Sequence, residues 1–378
     1  MPVPRWLAPD RPAPGCWHEV GDQTRAEAAL ELARRRHGLL YRGSYHGARQ
    51  LLAGMGRRLR PHPSGSRRAR ATARDVASGA GASALTRLFL ASRESARLEH
   101  EVLARLAVPI GVGYAVELAR APDVRAACEE ALGPATGAGA LPLRDLLGMV
   151  GAHEWRRRGV HVPALGARVH PHHGVFAPIR GEYVDLVARA AERWPVAGKR
   201  ALDLGTGTGV LAFVLARRGA RVLATDLEPR AVACARENAA RLGLEAAVEV
   251  CAADLFPGEA ADLVVCNPPW LPADAFGPLD RAVYDPGGAF LARLVAGLPS
   301  ALGPGGEAWI VISDLAERLG LRPAGHLAAL AAKAGLRVTD VLETRPAHPR
   351  ARDREDPLHE ARAAEIVRLL RLTLGAPP

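Results

Sequence analysis

The sequence predicts an α/β protein, a doubly wound, mostly parallel sheet preceded by a mainly α-helical N-terminal domain. Three observations lead there. From residue 196 onward, short apolar runs alternate with stretches of helical spacing, the pattern of strands and helices layered around one sheet. The first of these runs ends in a glycine-rich turn, Gly205-Thr206-Gly207-Thr208-Gly209, that opens an alanine-rich helix. Residues 1–150, in contrast, carry helical periodicity with little strand-like alternation.

In chain order, apolar residues recur with helical spacing from Thr24 to Arg36, Leu51 to Arg60, Ala84 to Ala107 and Val124 to Leu132. Gly133 to Gly139 reads as a hinge, Leu141 to Arg157 as another helix, and the Pro/His/Gly-rich stretch Val160 to Gly174 as a joint. Residues 1–150 are therefore assigned to a helical recognition domain. Residues 151–195 form a joint and a leading helix, Gly181 to Trp194, and residues 196–378 a ligand-binding domain. In that domain strands are expected near 201–205, 221–226, 246–253, 261–267 and 306–313, then a helix near 323–335 and a strand from Arg337 to Thr344. Ile366 to Thr373 suits helix or strand by period, and Arg345 to Ala361 is a long charged loop.

The chemistry concentrates in Asp262-Leu263-Val264-Val265-Cys266-Asn267-Pro268-Pro269-Trp270. Leu263 to Cys266 is an apolar run suited to a strand covered on both faces. Pro268 and Pro269 end the ladder, because neither can donate a hydrogen bond and both fix φ. The Asn267 side-chain oxygen and the Pro268 carbonyl can each accept one hydrogen of a planar NH₂ group, with the Trp270 ring stacked on its plane. Such a clamp works by orientation, which contributes up to on the order of 7 kcal/mol without a strong base.

Upstream, Ala201 to Leu204 is the strand that enters the glycine turn, and the helix after it offers free N–H groups at Val210. Arg221 to Asp226 is a second strand whose terminal acid suits ribose hydroxyls, and Asp254, after a third strand, suits an adenine amino group. A nucleoside site is thus expected at Gly205, Thr206, Gly207, Gly209, Asp226 and Asp254. The glycines fall as G-x-G-x-G, not the G-x-G-x-x-G of dinucleotide enzymes.

From Asp203 to Gly209, at Asp226, at Asp254 and from Asn267 to Trp270, the chain resembles the class I S-adenosylmethionine (SAM) methyltransferases, in the family's motif order. The resemblance implies a Rossmann-like seven-stranded core in which Ile366 to Thr373 returns as an antiparallel strand. It implies SAM as cofactor, with Asp203 near the methionine ammonium, and N-methylation at Asn267, Pro268, Pro269 and Trp270. Within the class, Asn267 to Pro272, Ala235 to Leu244, Asp254-Leu255-Phe256 and Val175 to Pro178 are most similar to the HemK-type glutamine methyltransferases of release factors, which adds Leu255 and Asn267 to the cofactor set. The match covers about residues 170–345 and departs in Trp270, where Tyr or Phe is usual. The implied acceptor is a Gln-containing loop of a translation factor. Matched segments also occur in ribosomal-RNA enzymes of the small-domain type, so a base amino group of ribosomal or transfer RNA is the alternative. A small-molecule acceptor, or a non-catalytic RNA- or ribosome-binding protein on the same scaffold, are further readings.

Composition bears on partners. Residues 1–150 hold 22 Arg against 14 acids, a net +8 out of +10 for the chain, and Arg57, Arg58, Arg60, Arg67, Arg68, Arg70 and Arg74 form an acid-free run. That run suits either a solvated linker or a contact with RNA or ribosome phosphates. Of the 50 basic residues only Lys199 and Lys333 are lysine. The five scattered cysteines contain no C-x-x-C pair and point to a reducing cytoplasm. No segment is long and apolar enough to suggest a membrane span. His170, His172 and His173 read as a polar joint and no metal is expected. Arg180 and Glu182 suit a cofactor lid or a surface pair equally, and Tyr284-Asp285-Pro286-Gly287-Gly288 suits a turn more than a substrate mouth.

Overall fold

A computed structural model describes residues 3–59, 81–277, 279–346 and 353–375. The chain divides into two bodies. Described residues up to 59 and from 90 to 154 make the first; residues 81–89 and those from 155 onward make the second. Residues 155–195 thus belong with the second body and do not form a separate joint. Of the arginine run, Arg57 and Arg58 end a helix, while Arg60, Arg67, Arg68, Arg70 and Arg74 lie outside the described residues, as do 347–352 of the charged loop.

The first body contains β1 (Trp17–Gly21), α1 (Ala26–Arg34), β2 (Gly38–Arg42), α2 (Tyr45–Leu59), α3 (Gly81–Leu103, in this body from residue 90), β3 (Leu106–Ile110), α4 (Arg125–Leu132), β4 (Gly139–Pro142) and α5 (Leu143–Arg158, to residue 154). The helices fall where their periodicity places them, but a mainly helical domain is an incomplete description. A four-stranded sheet in the order β1-β2-β3-β4 forms its centre, parallel except for β4. Its strands escape notice for a physical reason. β3 is buried throughout, so it shows no alternation, and it contains Pro109, which normally argues against a strand. Leu39, Tyr41, Met55, Leu106, Val108 and Leu141 make the core, against which α1 and α2 bury Ala29, Ala33, Ala48 and Leu51.

The second body opens with the end of α5 and a short hairpin, β5 (Val160–Val162) and β6 (Ala167–Val169), turned at Gly166 with φ +59°. This hairpin stands where a joint was expected. Then follow α6 (Glu182–Arg193), β7 (Arg200–Leu204), α7 (Val210–Ala216), β8 (Arg221–Asp226), α8 (Pro229–Leu242), β9 (Val248–Ala252), β10 (Ala261–Cys266), α9 (Ala289–Ala301), β11 (Leu302–Ser313), α10 (Leu315–Arg318), α11 (His326–Lys333), β12 (Leu336–Thr344), α12 (His359–Ala363) and β13 (Val367–Leu374). The seven-stranded sheet runs β12-β13-β11-β10-β7-β8-β9, with β13 antiparallel to both neighbours and the other pairs parallel. Ile366 to Thr373 is therefore the returning strand.

Alternate residues of the central strands enter two separate cores. Leu263, Val265, Trp309, Val311, Val367 and Leu369 pack with α6, α7 and α8, whereas Val264, Cys266, Ala308, Ile310, Leu370 and Leu372 pack with α9 and α11. Both faces being covered, each strand reads as a continuous apolar run. The Rossmann-like, doubly wound expectation is met, and it brings the ends of β7, β8, β9, β10 and β11 to one edge of the sheet.

Candidate active site at the carboxyl edge of the sheet

The glycine turn leaves β7 through three left-handed residues, Gly205 at φ +69°, Gly207 at +56° and Gly209 at +88°. L residues avoid that region, so the turn requires glycine. Open space surrounds the position of a Cβ at Gly205 and Gly207, which leaves their backbone accessible to a ligand. At Gly209 the same atom would meet the Phe213 ring at 2.3 Å, so that glycine serves the packing of α7 on the turn. Thr206 N–H donates to the Thr225 carbonyl at 2.9 Å, which holds the turn against the end of β8.

Asp203, inside β7, is 1% exposed. Its Oδ2 accepts from the Thr206 hydroxyl at 2.6 Å and from Ala212 N–H at 3.1 Å, so the carboxylate ties the strand to the turn and to α7. Burial pushes its pKa up to about 6 against these two hydrogen bonds. Asp226 ends β8 and accepts from Gly207 N–H at 2.9 Å through Oδ2 and from Glu228 N–H at 2.9 Å through Oδ1. Burial raises its pKa as well. The acid expected to meet ribose thus lies directly on the glycine turn. Asp254 follows β9, half exposed, and pairs with Arg293 at 2.6 Å. Next to it Leu255 adopts φ +67° while buried, and its carbonyl accepts from the Thr225 hydroxyl at 2.9 Å. Left-handed backbone at a non-glycine residue costs on the order of 1–3 kcal/mol and persists where its surroundings impose it. The fold therefore holds the Asp254-Leu255 corner in one shape.

β10 delivers Asn267-Pro268-Pro269-Trp270 beside this turn, since Cys266 pairs with Leu204 on one side and Ile310 on the other. The Trp270 indole N–H donates to Asn267 Oδ1 at 3.0 Å. Trp270 and Leu271 N–H groups both donate to the Val283 carbonyl at 3.1 Å, fixing the segment after the prolines. The Arg180 guanidinium carbon lies 5.0 Å from the Trp270 ring centroid, a cation–π contact. Arg180 also pairs with buried Glu182 at 2.8 Å and with Glu365 at 3.2 Å. Arg180 and Glu182 are thus more than an isolated surface pair. They brace the Trp270 side.

Glu365 carried no signal in the sequence beyond its place near a charged loop. It is fully buried, takes a 2.7 Å hydrogen bond from Ser313 Oγ at the end of β11, and keeps Oε2 without a hydrogen-bond partner. Phe89, with Leu85 and Leu88 of the same α3 turn, packs with Leu271, Leu315 and Leu319 in a small cluster that Trp270 borders. Asp285 is buried and accepts from Phe290 and Leu291 N–H at 2.8 and 3.0 Å, so it caps α9, consistent with the turn reading. A cavity of about 200 Å³ opens between Pro269, Trp270, Asp285, Leu291, Arg322 and His326. His170 and His172 are held by Arg156, Glu237 and Asn238: His170 N–H donates to Asn238 Oδ1 at 2.8 Å, and His172 Nε2 lies 2.7 Å from Glu237 Oε2. Burial opposes the charge on Glu237, but Arg241, His172 and Arg156 outweigh it and hold the carboxyl down at about 2.

A glycine turn with acids on successive strand ends, followed by an amide-proline-proline-aromatic segment on the next strand inward, is the arrangement of class I SAM-dependent methyltransferases. The family model of the methyltransferase small domain matches residues 167–330. The release factor glutamine methyltransferase of Moorella thermoacetica is 33% identical over 215 residues, 53% of this chain and 69% of that protein. The chain belongs to the HemK-like family of these methyltransferases. Another release factor glutamine methyltransferase, from Cereibacter sphaeroides, is 37% identical over 156 residues, 37% of this chain and 54% of that protein. The chain thus spans about half of that relative's length. Among solved structures, the ribosomal protein L11 methylase of Lactobacillus delbrueckii subsp. bulgaricus matches 53% of this chain and 82% of that one at 20% identity, with a TM-score of 0.36. The family's cofactor is SAM, and the open glycine turn with Asp226 on it fits the nucleoside of such a group.

Proposed function

We propose that the protein is a SAM-dependent N-methyltransferase whose acceptor is a glutamine side-chain amide in a loop of a translation factor. The observation that carries the reading is the placement of Asn267 and Trp270, hydrogen-bonded to each other, at the end of β10 next to the glycine turn. The names of the relatives at 33–37% identity support the same acceptor.

SAM supplies an electrophilic methyl group and leaves as a neutral thioether, so no metal is required for the transfer. The cofactor is proposed to lie on Gly205, Thr206, Gly207 and Gly209, with Asp226 at the ribose, Asp254 and Leu255 at the adenine and Asp203 toward the ammonium. On the acceptor side, the Asn267 oxygen has a second lone pair beyond the one engaged by Trp270, and it accepts one amide hydrogen. The Pro268 carbonyl accepts the other. Pro269 stiffens the segment, and the Trp270 ring packs on the amide plane. Held so, the NH₂ nitrogen presents its lone pair perpendicular to that plane, and its proton passes to water after transfer.

The net +8 of residues 1–150 favours a second reading in which a base amino group in RNA is the acceptor. Incubation with methyl-labelled SAM and a lysate of cells lacking the protein, split between protease and nuclease, separates the two. Protease-sensitive label that mass spectrometry places on glutamine is the expected result; nuclease-sensitive label replaces it with the RNA reading. A cytoplasmic location is part of the proposal, in keeping with five free cysteines.

A further inference from the structure

The first body holds a cluster that the sequence reading passed over. Cys16 and His18 flank Trp17 at the start of β1, and His37 stands just before β2. The strands are parallel and paired from their first residues, Trp17 opposite Gly38 and His18 opposite Leu39. Two local features bring His37 to this edge. Arg36 turns the chain out of α1 at φ +66°, and Gly38 N–H donates to the Cys16 carbonyl at 2.8 Å. Gly38 also allows a close approach, since a Cβ there would meet the Trp17 ring at 2.6 Å and Pro14 Cβ at 2.9 Å.

The result is a convergence of ligand atoms. His18 Nε2 lies 2.9 Å from His37 Nδ1, Cys16 Sγ lies 3.8 Å from His18 Nε2, and all three atoms fall within 4.8 Å of one another. Around a tetrahedral zinc ion with Zn–N of about 2.0–2.1 Å and Zn–S of about 2.3 Å, the N···N edge is about 3.3 Å and the S···N edge about 3.6 Å. The His18–His37 and Cys16–His18 edges differ from these by less than half an ångström, and the Cys16–His37 edge is at most 4.8 Å. Side-chain adjustments alone could therefore admit an ion, with no change in the strands.

We propose that Cys16, His18 and His37 form a three-ligand site for a borderline-soft divalent metal, zinc foremost. The donor set decides the class of ion: two imidazoles and a thiolate suit Zn²⁺ and its spectroscopic substitute Co²⁺, and they discriminate against the oxygen-seeking Mg²⁺ and Ca²⁺. Among the described residues no fourth His, Cys, Asp or Glu joins the group. Cys16 is exposed, so the fourth position is open to water or an added ligand. A metal here clamps the segment before β1 to both strand starts and stabilises this body, since ligand binding to the folded state alone raises stability.

The test is a Co²⁺ titration of the chelator-treated full chain. The expected result is one Co²⁺ per chain, with a thiolate-to-cobalt charge-transfer band, tetrahedral visible bands and displacement by one equivalent of Zn²⁺. Cys16→Ser should abolish the charge-transfer band, and His37→Gln should weaken Co²⁺ binding by at least about tenfold. Circular dichroism of both variants, unchanged from the parent, confirms that they fold. A melting temperature raised by Zn²⁺ in the parent and not in His37→Gln supports the site independently. Absence of the charge-transfer band, or its persistence in Cys16→Ser, overturns the proposal and leaves His18 and His37 as a hydrogen-bonded imidazole pair only.

Discussion

The indole N–H of Trp270 points at the side-chain oxygen of Asn267, 3.0 Å away, so the two polar members of the Asn-Pro-Pro-Trp segment are tied before any substrate arrives. An N–H donor can be satisfied only by the oxygen of an amide, and the contact therefore dictates which way the Asn267 amide faces. A Phe at position 270 would stack but lack this donor. The departure from the usual aromatic is thus more than a change of ring size.

Trp270→Phe keeps an aromatic face and removes the N–H. A neutral hydrogen bond contributes about 1 kcal/mol net, which corresponds to roughly fivefold in rate if the amide must be held for reaction. The variant is expected to lower kcat about fivefold with SAM affinity unchanged, measured by single-turnover methylation and calorimetry. An unchanged kcat would limit the indole N–H to a structural role.

Asn267→Ala removes one acceptor for the substrate NH₂ and frees the indole. Loss of orientation at one of two hydrogens should lower turnover by at least about tenfold, while the SAM Kd stays within about threefold because the glycine turn is untouched. Equal losses of kcat and SAM affinity would instead place Asn267 in the cofactor site.

Arg180 stands against Glu182 and Glu365, whose side chains are 7% and 1% exposed. Removing a cation from buried carboxylates leaves charge without compensation, a change that costs about 3–5 kcal/mol for a fully buried pair and less here, where Arg180 keeps 27% of its side-chain exposure. Arg180→Ala should lower the Tm by several degrees, and adding Glu365→Gln should recover part of the loss. A double-mutant cycle with no coupling would show that Arg180 does not hold Glu365.

How far these features could be read in advance depends on whether chemistry or burial defines them. Gly205, Asp226 and Asn267 announce themselves because a left-handed turn, a strand-end acid and an amide before two prolines each need a particular residue type. The central strands β7, β10 and β11 likewise match apolar runs that two covered faces demand, whereas Ile366 to Thr373 is read as a strand only through the resemblance. Glu365 and Ser313 meet only through the antiparallel pairing of β11 with β13, a contact 52 residues apart that no local pattern encodes. The sheet of the first body was hidden for the converse reason, since β2, β3 and β4 are strands of four or five mostly buried residues, one carrying Pro109, with no period to detect. His37 likewise reaches Cys16 and His18 through strand pairing, here the parallel pairing of β1 with β2.

Gly209→Ala tests the turn itself. At φ +88° a Cβ is strained whatever its surroundings, and here it would also strike the Phe213 ring at 2.3 Å. The cost combines backbone strain of about 1–2 kcal/mol with displacement of a fully buried aromatic. A fall in Tm and a SAM affinity at least about tenfold weaker are expected. The second substitution Phe213→Leu in the same chain should relieve part of the clash and recover some Tm but not the backbone strain, which differential scanning calorimetry can resolve.

Asp203 makes the stability of the second body depend on pH in a direction opposite to that of most carboxylates. Burial raises its folded pKa to about 6 from an ordinary value of 3.8, so the folded chain holds the proton more tightly than the unfolded chain does. Its favourable contribution is therefore complete below about pH 4 and is lost as pH rises through about 6. Asp203→Asn cannot ionise, and the Tm of the parent relative to this variant should fall between about pH 4 and about pH 6 and level off above. If the methionine ammonium of SAM lies against this carboxylate, binding favours the charged form and restores what ionisation removed. The Tm increase produced by saturating SAM should then be larger at pH 7.5 than at pH 5 in the parent and independent of pH in Asp203→Asn. The same increase at both pH values in the parent would place the ammonium away from Asp203 and leave that residue as the tie between β7, the glycine turn and α7.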